Sequence, residues 1–306
     1  MEYGYPASVK QWTVAPRPPY NAPMTAIAFT KMHGLGNDFA VIDARRHRLE
    51  LTAEQARALA DRHTGIGCDQ VITMLAPEDG DRKNSGTDVF MRIQNADGGE
   101  VDACGNATRC VAALLMAEDA RDSLYIGTKA GRLAAEAMAG GLVAVDMGKP
   151  RLDWREIPLS QPEDTLHLEL SEGPLTDPVA LSMGNPHCVF FVPDAEAVDI
   201  AALGPVLEHH SLFPERANIG VAQVIDTETI RLRVWERGAG LTLACGTGAC
   251  AATVAAARRE LTGRIVEMRL DGGVLQIEWR ADDHVMMTGP AAISFSGSFD
   301  DGLLGR

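Results

Sequence analysis

Apolar residues recur along this chain with two spacings, one typical of strands and one typical of helices. The segment AIAFTKMHGLGNDFAVIDA, ordered from about Ile27, alternates apolar and polar positions around a glycine-rich turn and predicts two strands. LTAEQARALADRHTG spaces its apolar residues by three and four and predicts a helix with Thr52 as its N-cap. QVITML and VFMRIQN predict two more strands, with the turn-rich segment EDGDRKNSGTD between them.

The remaining chain predicts two apolar helices, each set among strands. The first helix follows Cys104 and runs to about Met116, and glycine-broken strands follow in SLYIGTKAGRLAAEAMAGGLVAVDMGKP. A second half opens near Pro150 with HLEL and ALSMGNPHCVFFV, a helix around IAALGPVLEHH, and strands in VAQVIDTETIRLRVWERG. An alanine-rich helix follows Cys245. RIVEMRLDGGVLQIEWR then predicts a hairpin that turns at DGG, and VMMTGPAAISFSGSF closes the chain.

Two segments of the chain have closely similar sequence patterns. EVDACGNATRCVAALLMAED and LTLACGTGACAATVAAARRE each place a Cys-Gly turn before an apolar helix, with their cysteines 141 residues apart. Strands flank both helices in the same order, which indicates a duplicated unit. We therefore predict an α+β fold of two pseudosymmetric domains, each a mixed β-sheet wrapped around a central apolar helix.

Composition narrows the classes of function. The net charge is -14 and no run of Lys or Arg exists, so nucleic acid is not an expected partner. No apolar run reaches the roughly 18 residues of a membrane span, and residues 1–24 lack the apolar core of a signal peptide. Six cysteines in 306 residues are too sparse for a disulfide scaffold. A cytoplasmic protein with free thiols and a disordered N-terminal extension, residues 1–24, is expected.

The two Cys-Gly turns carry the candidate chemistry. A thiol at a helix N-terminus lies beside unpaired backbone N–H groups, which lower its pKa from about 8.5 toward the range of about 3.5–7.5. Gly105 and Gly246 allow close approach of the backbone to a ligand, and Asn106 and Thr247 each add a donor. Each turn is thus a candidate thiolate and a candidate cradle for an anion.

Two such turns predict one site between two domains. A thiolate on one side of a substrate carbon, Cys104 or Cys245, removes a proton, and the thiol on the other side returns one. The carbon is inverted, and neither a cofactor nor a metal is required. The alternative is that both cysteines only pack at helix ends.

A zinc site is a further alternative for these cysteines. Cys110 lies six residues after Cys104, and Cys250 lies five after Cys245. These offsets differ from the C-x₂₋₄-C spacing of zinc ligands and separate each pair around a helix, so no metal is expected.

Neutral amides recur in turns along the chain: Asn37, Gln70, Asn95, Asn185 and Asn218. Asparagine in a turn is usually there for its backbone, but a site built on thiolates also favours amides, because carboxylates would raise the pKa of the thiols. Such a set fits a zwitterionic, amino-acid-like small molecule.

Three further residues are candidates around this site. Arg237 suits a substrate carboxylate, Glu236 suits an ammonium group, and His187 suits the tuning of a nearby thiol. A surface ion pair and an ordinary loop histidine are the structural alternatives.

Six ordered segments carry a family resemblance: KMHGLGNDF, GIGCDQ, NADGGEVDACGN, MGNPHCV, FPERANIG and VWERGAGLTLACGTGACAA. They closely resemble the signature segments of diaminopimelate epimerases, from about Ile27 to about Gly297. The resemblance implies cofactor-independent interconversion of LL- and meso-diaminopimelate, for lysine and peptidoglycan synthesis. It also implies a homodimer and two domains that meet at a cleft.

Carried over by motif, the resemblance gives every candidate a role. It implies that Cys104 and Cys245 are the acid/base pair and that His187 and Glu236 tune the thiols. The implied substrate contacts are Asn37, Gln70, Asn95, Gly105, Asn106, Asn185, Asn218, Glu236, Arg237, Gly246 and Thr247. It implies domains at 25–148 plus 289–306 and at 149–288.

Two departures from the family pattern stand near the thiols. Ala107 occupies the last position of the usual Cys-Gly-Asn-Gly, and Leu241 occupies the middle of a common Gly-Glu-Thr. Alanine still suits a helix start, and Leu241 does not change the assignment of the cysteine pair. A proline or hydroxyproline racemase with two cysteines is the alternative enzyme, and a ligand-binding module on the same fold is the non-enzyme alternative.

Overall fold

The computed structural model describes residues 26–46, 49–77 and 85–304. The predicted extension, residues 1–24, and most of the EDGDRKNSGTD turn lie outside the described residues. No helix in the described part is long and apolar enough to span a bilayer.

The first half of the chain alternates strands with two α-helices in the described ranges. Its elements are β1 (Ile27–Gly34), β2 (Asn37–Asp43), α1 (Ala53–Ala60), β3 (Gln70–Leu75), β4 (Val89–Asn95), β5 (Glu100–Val101), α2 (Gly105–Asp119), β6 (Ser123–Thr128), β7 (Gly131–Met138) and β8 (Leu142–Asp146), with a 3-10 turn at Ala139–Gly141 before β8.

The second half repeats this order after a two-stranded ribbon. Its elements are β9 (Ser171–Glu172) and β10 (Leu175–Thr176) in the ribbon, then β11 (Val179–Ser182), β12 (Pro186–Phe191), α3 (Ile200–Glu208), β13 (Asn218–Asp226), β14 (Thr229–Glu236), β15 (Gly240–Thr242), α4 (Gly246–Arg258), β16 (Ile265–Leu270), β17 (Gly273–Trp279), β18 (Val285–Gly289), β19 (Ala292–Phe299) and a final 3-10 turn at Asp301–Leu304.

Strand pairing shows that the two halves are copies of one unit. In the first, β2 pairs parallel with β3, β3 pairs antiparallel with β4, and β4 pairs parallel with β6. The second half has the same pattern: β12 pairs parallel with β13, β13 pairs antiparallel with β14, and β14 pairs parallel with β16. The predicted α+β fold with a duplicated unit is confirmed.

Each copy encloses one apolar helix, because neither helix carries a continuous polar face. In α2, ten residues from Gly105 to Met116 are buried, and in α4 ten from Gly246 to Ala256 are buried. Alanine, valine and cysteine on α4 pack against strands β11 to β18, and those on α2 pack against β1 to β8. Buried apolar area of this kind is the main favourable term in folding.

In the described ranges, the pairing of β8 with β18 joins the two copies. β18 pairs with β17 on one side and with β8 on the other, so the sheets of the two halves are continuous. β19 then returns to β1, with Ile27 opposite Phe299. Both thiol-bearing helices therefore start close to the line where the halves meet.

Local sequence signals placed most elements as expected. Thr52 caps α1 with a capping box, since its hydroxyl accepts from the Gln55 N–H and the Gln55 side chain accepts from the Thr52 N–H. The predicted hairpin forms between β16 and β17, where Leu270 pairs with Gly273. HLEL forms no strand, but Leu168 and Leu170 fill the core of the second half.

Candidate active site

Cys104 and Cys245 occupy equivalent positions at the starts of α2 and α4. Each is the N-cap residue, with extended backbone at φ -146° and -108° respectively, so its sulfur lies beside the free N–H groups of the first turn. The Gly248 N–H donates to the Cys245 sulfur at 3.3 Å. The Cys104 side chain makes no such cap hydrogen bond, but the backbone N–H groups of Asn106 and Ala107 act to lower the pKa of its thiol.

A hydrogen bond across the two halves brings the thiol turns together. The Asn106 side-chain N–H donates to the carbonyl oxygen of Ala244, the residue before Cys245, at 3.1 Å. It also donates to the Asn37 side-chain oxygen at 3.2 Å, and that oxygen lies 3.8 Å from the Cys104 sulfur. The turns thus touch directly.

Burial raises the pKa of both thiols. Cys104 keeps part of its surface exposed, yet desolvation of its sulfur raises its pKa to about 11. Cys245 is 4% exposed, and desolvation raises its pKa well above the usual value. The expected lowering by helix amides is therefore wrong for this arrangement, because desolvation outweighs the N–H donors.

The carboxylate of Glu236 lies within electrostatic reach of both thiols. Its charge raises the pKa of Cys104 and of Cys245, and it hydrogen-bonds Cys245. Thr242 donates to this carboxylate, and burial raises the pKa of Glu236 itself. The general expectation that a thiol site excludes carboxylates fails here.

Gly105 and Gly246 are required by packing as well as by any ligand. A Cβ on Gly105 would lie 2.6 Å from the Met287 methyl, and one on Gly246 would lie 2.9 Å from the Met287 sulfur. Met287 from β18 is thus wedged between the starts of the two helices. A side chain at either glycine would force them apart.

The predicted amides of the first half form two hydrogen-bonded pairs. Gln70 donates to Asn95 at 2.8 Å, at paired ends of β3 and β4. Asn37 donates to the Asp69 carboxylate at 3.0 Å, which turns its oxygen toward Cys104. Asn37 therefore reaches a thiol in this structure.

The predicted residues of the second half lie along the starts of β12 and β13. Asn185 donates to the Thr247 hydroxyl at 3.3 Å, so it reaches the Cys245 turn. His187 contacts the Asn185 oxygen at 3.0 Å, and the structure records no bond from it to either thiol. Asn218 accepts from the backbone N–H of Arg237 at 3.0 Å.

The match to a known family covers most of the chain. The family model described as diaminopimelate epimerase matches residues 29–152 and 179–294, which includes both thiol turns. This chain belongs to the diaminopimelate epimerase family. The prediction that it is an isomerase is thereby confirmed.

Close relatives share the family name. A diaminopimelate epimerase of Rhodospirillum centenum is 58% identical over 276 residues, which are 90% of this chain and 93% of the relative. One from Acidiphilium cryptum is 55% identical over 276 residues, 90% of this chain and 97% of the relative.

Solved structures with low identity share the fold. A putative phenazine biosynthesis PhzC/PhzF protein from Clostridium difficile superposes with a TM-score of 0.64 at 15% identity, over 90% of this chain and all of that one. A hydroxyproline epimerase from Agrobacterium vitis superposes with a TM-score of 0.63 at 15% identity, over 92% of this chain and 94% of that one. At such identity the likeness shows the architecture alone.

The zinc alternative finds no support in this member of the family. Cys110 and Cys250 are fully buried in separate apolar clusters. Among the described residues, no group of three or more His, Cys, Asp or Glu side chains is arranged to hold a metal ion.

Sequence reasoning missed three residues that shape this epimerase-family site: Asp69, Arg109 and Met287. Asp69 directly precedes the predicted Gln70 in the GCDQ segment, and this position in the sequence was a signal that it lies near the site. Arg109 is the one charged residue in α2 between Gly105 and Met116, where most residues are apolar, and this is a signal for a buried partner. Met287 carries no such signal.

Proposed function

We propose that this protein interconverts LL- and meso-diaminopimelate by two-thiol acid/base catalysis, without a cofactor. The substrate follows from the family and from the names of its relatives. The main support for the mechanism is the hydrogen bond from Asn106 to Ala244, because it places the two cysteine turns in contact.

The proton moves from carbon to sulfur on one side and from sulfur to carbon on the other. In one direction the Cys104 thiolate takes the α-proton, and the C–H electron pair remains on the substrate as a carbanion delocalised into the α-carboxylate. The Cys245 thiol donates its proton to the opposite side of that carbon and becomes a thiolate. The reverse direction exchanges these roles.

Oriented backbone amides are the main stabilising groups for the developing charge. The first N–H groups of α2 and α4 converge at the thiol turns, where they suit the two oxygens of an enediolate. One well-placed donor is worth roughly 2.7–4 kcal/mol in the transition state, whereas an exposed helix dipole is worth about 0.3–1 kcal/mol. The amides therefore contribute more than the dipoles.

The amide-rich surroundings suit a ligand with several charged groups. Gln70 and Asn95 bond each other in the first half, and Asn185 and Asn218 bond the Thr247 hydroxyl and the Arg237 N–H in the second half. The Arg237 backbone N–H donates to Asn218 and its charge acts on His187, while its guanidinium donates to the Glu215 carbonyl at 2.9 Å. Diaminopimelate has two amino-acid ends, which fits more of these groups than proline does.

The test follows the α-proton of the substrate. Purified protein is incubated with LL-diaminopimelate in D₂O without added cofactor, and deuterium uptake is measured by mass spectrometry. The product should gain deuterium faster than the remaining substrate, because each thiol carries its own proton. Equal labelling of both would contradict a two-thiol mechanism.

Two variants and one substrate serve as controls. Cys104→Ala and Cys245→Ala should each abolish epimerisation while circular dichroism shows an intact fold. Near-normal turnover in either would overturn the mechanism. Turnover of hydroxyproline instead of diaminopimelate would support the racemase alternative, and tight binding of diaminopimelate without proton exchange would indicate a binding module.

Several expectations belong to the same proposal. We place the activity in lysine and peptidoglycan precursor synthesis in the cytoplasm, in a homodimer; six free cysteines fit a reducing compartment. The division into 25–148 plus 289–306 and 149–288 is supported by the return of β19 to β1.

A further inference from the structure

A buried arginine lies beneath the Cys104 turn. Arg109 on α2 is 0% exposed. Its guanidinium donates to the Asn106 side-chain oxygen at 3.0 Å and to the Pro290 carbonyl at 3.3 Å, and contacts the Met287 sulfur at 3.4 Å. Across residues 26–46, 49–77 and 85–304, no carboxylate lies within ion-pair distance of it. A buried cation without an anion is costly, so this one calls for a function.

Two glycines make room for this guanidinium. A Cβ on Gly34 would lie 3.0 Å from Nη2 of Arg109, and one on Gly289 would lie 3.3 Å from its Nε. Gly34 ends β1 and Gly289 ends β18, so strands from both ends of the chain leave space for it. Arg109 therefore sits in a site built around it.

The ionisable groups that interact with Arg109 are thiols. They are Cys104, Cys110 and Cys250. Burial raises the pKa of Cys110 and of Cys250 to about 12, so both stay neutral near physiological pH. Cys104 is the partly exposed member, at a helix start, and its thiolate is the anion that matches this cation.

The duplicated fold has this cation on one side only. Arg109 lies five residues after Cys104 on α2, and the same position on α4, five after Cys245, is Cys250. The Glu236 charge acts on both thiols, whereas Arg109 acts on Cys104 and not on Cys245. Arg109 thus makes the two thiol turns electrostatically unequal.

Arg109 also fixes the direction of a chain of amides. Because the Asn106 oxygen accepts from Arg109, its N–H end points to Asn37 and to the Ala244 carbonyl. At the other end, the Asp69 carboxylate accepts from Asn37 at 3.0 Å. A cation at one end and an anion at the other hold both amides in one orientation.

We propose that Arg109 is a positioning residue that holds the Cys104 turn against the Ala244 carbonyl and makes Cys104, rather than Cys245, the thiol that ionises first. Its catalytic meaning rests on the proposed function, where Cys104 is then the base of the resting site. Arg109 does not touch the substrate in this proposal. It acts through Asn106 and through its charge.

The test titrates each thiol separately. Iodoacetamide reacts with the thiolate, so its rate across a pH series gives a midpoint for each cysteine, read by peptide mass spectrometry. A midpoint does not depend on how accessible the sulfur is. In the unmodified protein, Cys104 should have the lower midpoint. Arg109→Met should raise it, and should slow Cys104 alkylation about tenfold or more at a fixed pH below the midpoint.

Two further variants separate charge from packing. Arg109→Lys keeps the cation and should restore part of the Cys104 rate. Arg258→Met removes a half-buried arginine at the far end of α4, which bonds Thr165 and the Ala180 carbonyl, and should leave the Cys104 midpoint unchanged.

Three results would overturn the proposal: an unchanged or lower Cys104 midpoint in Arg109→Met, an equal shift in Arg258→Met, or a lower midpoint for Cys245 than for Cys104 in the unmodified protein. If Arg109→Met does not fold, the proposal is tested by the order of the Cys104 and Cys245 midpoints in the unmodified protein and by the Cys104 rate in Arg109→Lys. No diaminopimelate is present in this assay, so failure of the proposed function and failure of this proposal are distinguishable.

Discussion

Glu236 shows how one side chain acts on both thiols of the site. It ends β14, is largely buried, and bonds Thr242 and Cys245. Its negative charge disfavours a second negative charge nearby, so it raises the pKa of Cys104 as well as that of Cys245. A carboxylate here keeps at least one thiol protonated, which an acid/base pair requires.

Glu236→Gln should shift the thiol titrations to lower pH. Removing the anion favours the thiolate, so the alkylation midpoints of Cys104 and Cys245 should both fall. Glu267→Gln is the matched control, because it removes the same charge from an exposed carboxylate paired with Arg269. Midpoints that stay in place in Glu236→Gln would show that burial alone sets these values.

His187 is a buried histidine held neutral by its surroundings. It is 1% exposed, and burial, with the charge of Arg237, lowers its pKa to about 3. The unfolded chain binds a proton at this ring below about pH 6.5, whereas the folded chain does not. Its contribution to stability is therefore complete above pH 6.5 and is lost as the pH falls toward 3.

His187→Gln should flatten the acid side of the stability profile. Urea unfolding in a pH series should show a smaller loss of unfolding free energy below about pH 6.5 than in the parent protein. The exposed His63→Gln serves as the control and should leave the slope unchanged. A parallel loss in His187→Gln and the parent would mean that other groups cause acid unfolding.

At the scale of elements, the duplication explains where the site residues come from. Gln70 and Asn218 start the equivalent strands β3 and β13, and Asn95 and Glu236 end the equivalent strands β4 and β14. Equivalent strand ends in the two copies thus supply the candidate site residues of each half. The pair Asn95 and Glu236 differs in charge, so the two copies are alike in shape and unlike in electrostatics.

The N-cap of α1 gives a test of a local signal. Thr52→Ala removes the hydroxyl that accepts from the Gln55 N–H at 3.2 Å. The free energy of unfolding should fall by about 1 kcal/mol, as for other lost N-caps. Thr52→Ser keeps the hydroxyl and should lose much less in the same denaturant titration. Equal losses in both variants would mean that the methyl group, not the cap, matters.

At the scale of the whole molecule, contacts between the halves create the site. The Asn106–Ala244 bond, the Met287 wedge and the β8–β18 pairing all join residues far apart in sequence. Neither half alone contains both thiols. The proposed chemistry therefore depends on how the two copies dock.

Mild oxidation should link the halves covalently. Diamide accepts two electrons as Cys104 and Cys245 form a disulfide, and activity should be lost and then regained on reduction. Non-reducing peptide mapping identifies the bond, and Cys104→Ala is the control that cannot form it. A protein that stays fully active in diamide would contradict the facing arrangement of the turns.

The sequence predicted much of this fold because its signals are local. The cap at Thr52, the hairpin turn at Asp271 and the helix starts after Cys104 and Cys245 each depend on a few neighbouring residues. HLEL alternates polar and apolar residues as a strand would, yet its leucines fill a core without forming one. Periodicity does not distinguish those two uses.

The sequence by itself determined the duplication, the α+β class and the family, because the repeated Cys-Gly turns and apolar helices are written in residue order. Tertiary structure alone decided that the pKa of both thiols is raised and that the Glu236 charge acts on both of them. It also decided that Arg109 is buried without a carboxylate partner among the described residues. Desolvation and charge interactions depend on which distant residues surround an atom, and residue order does not state that.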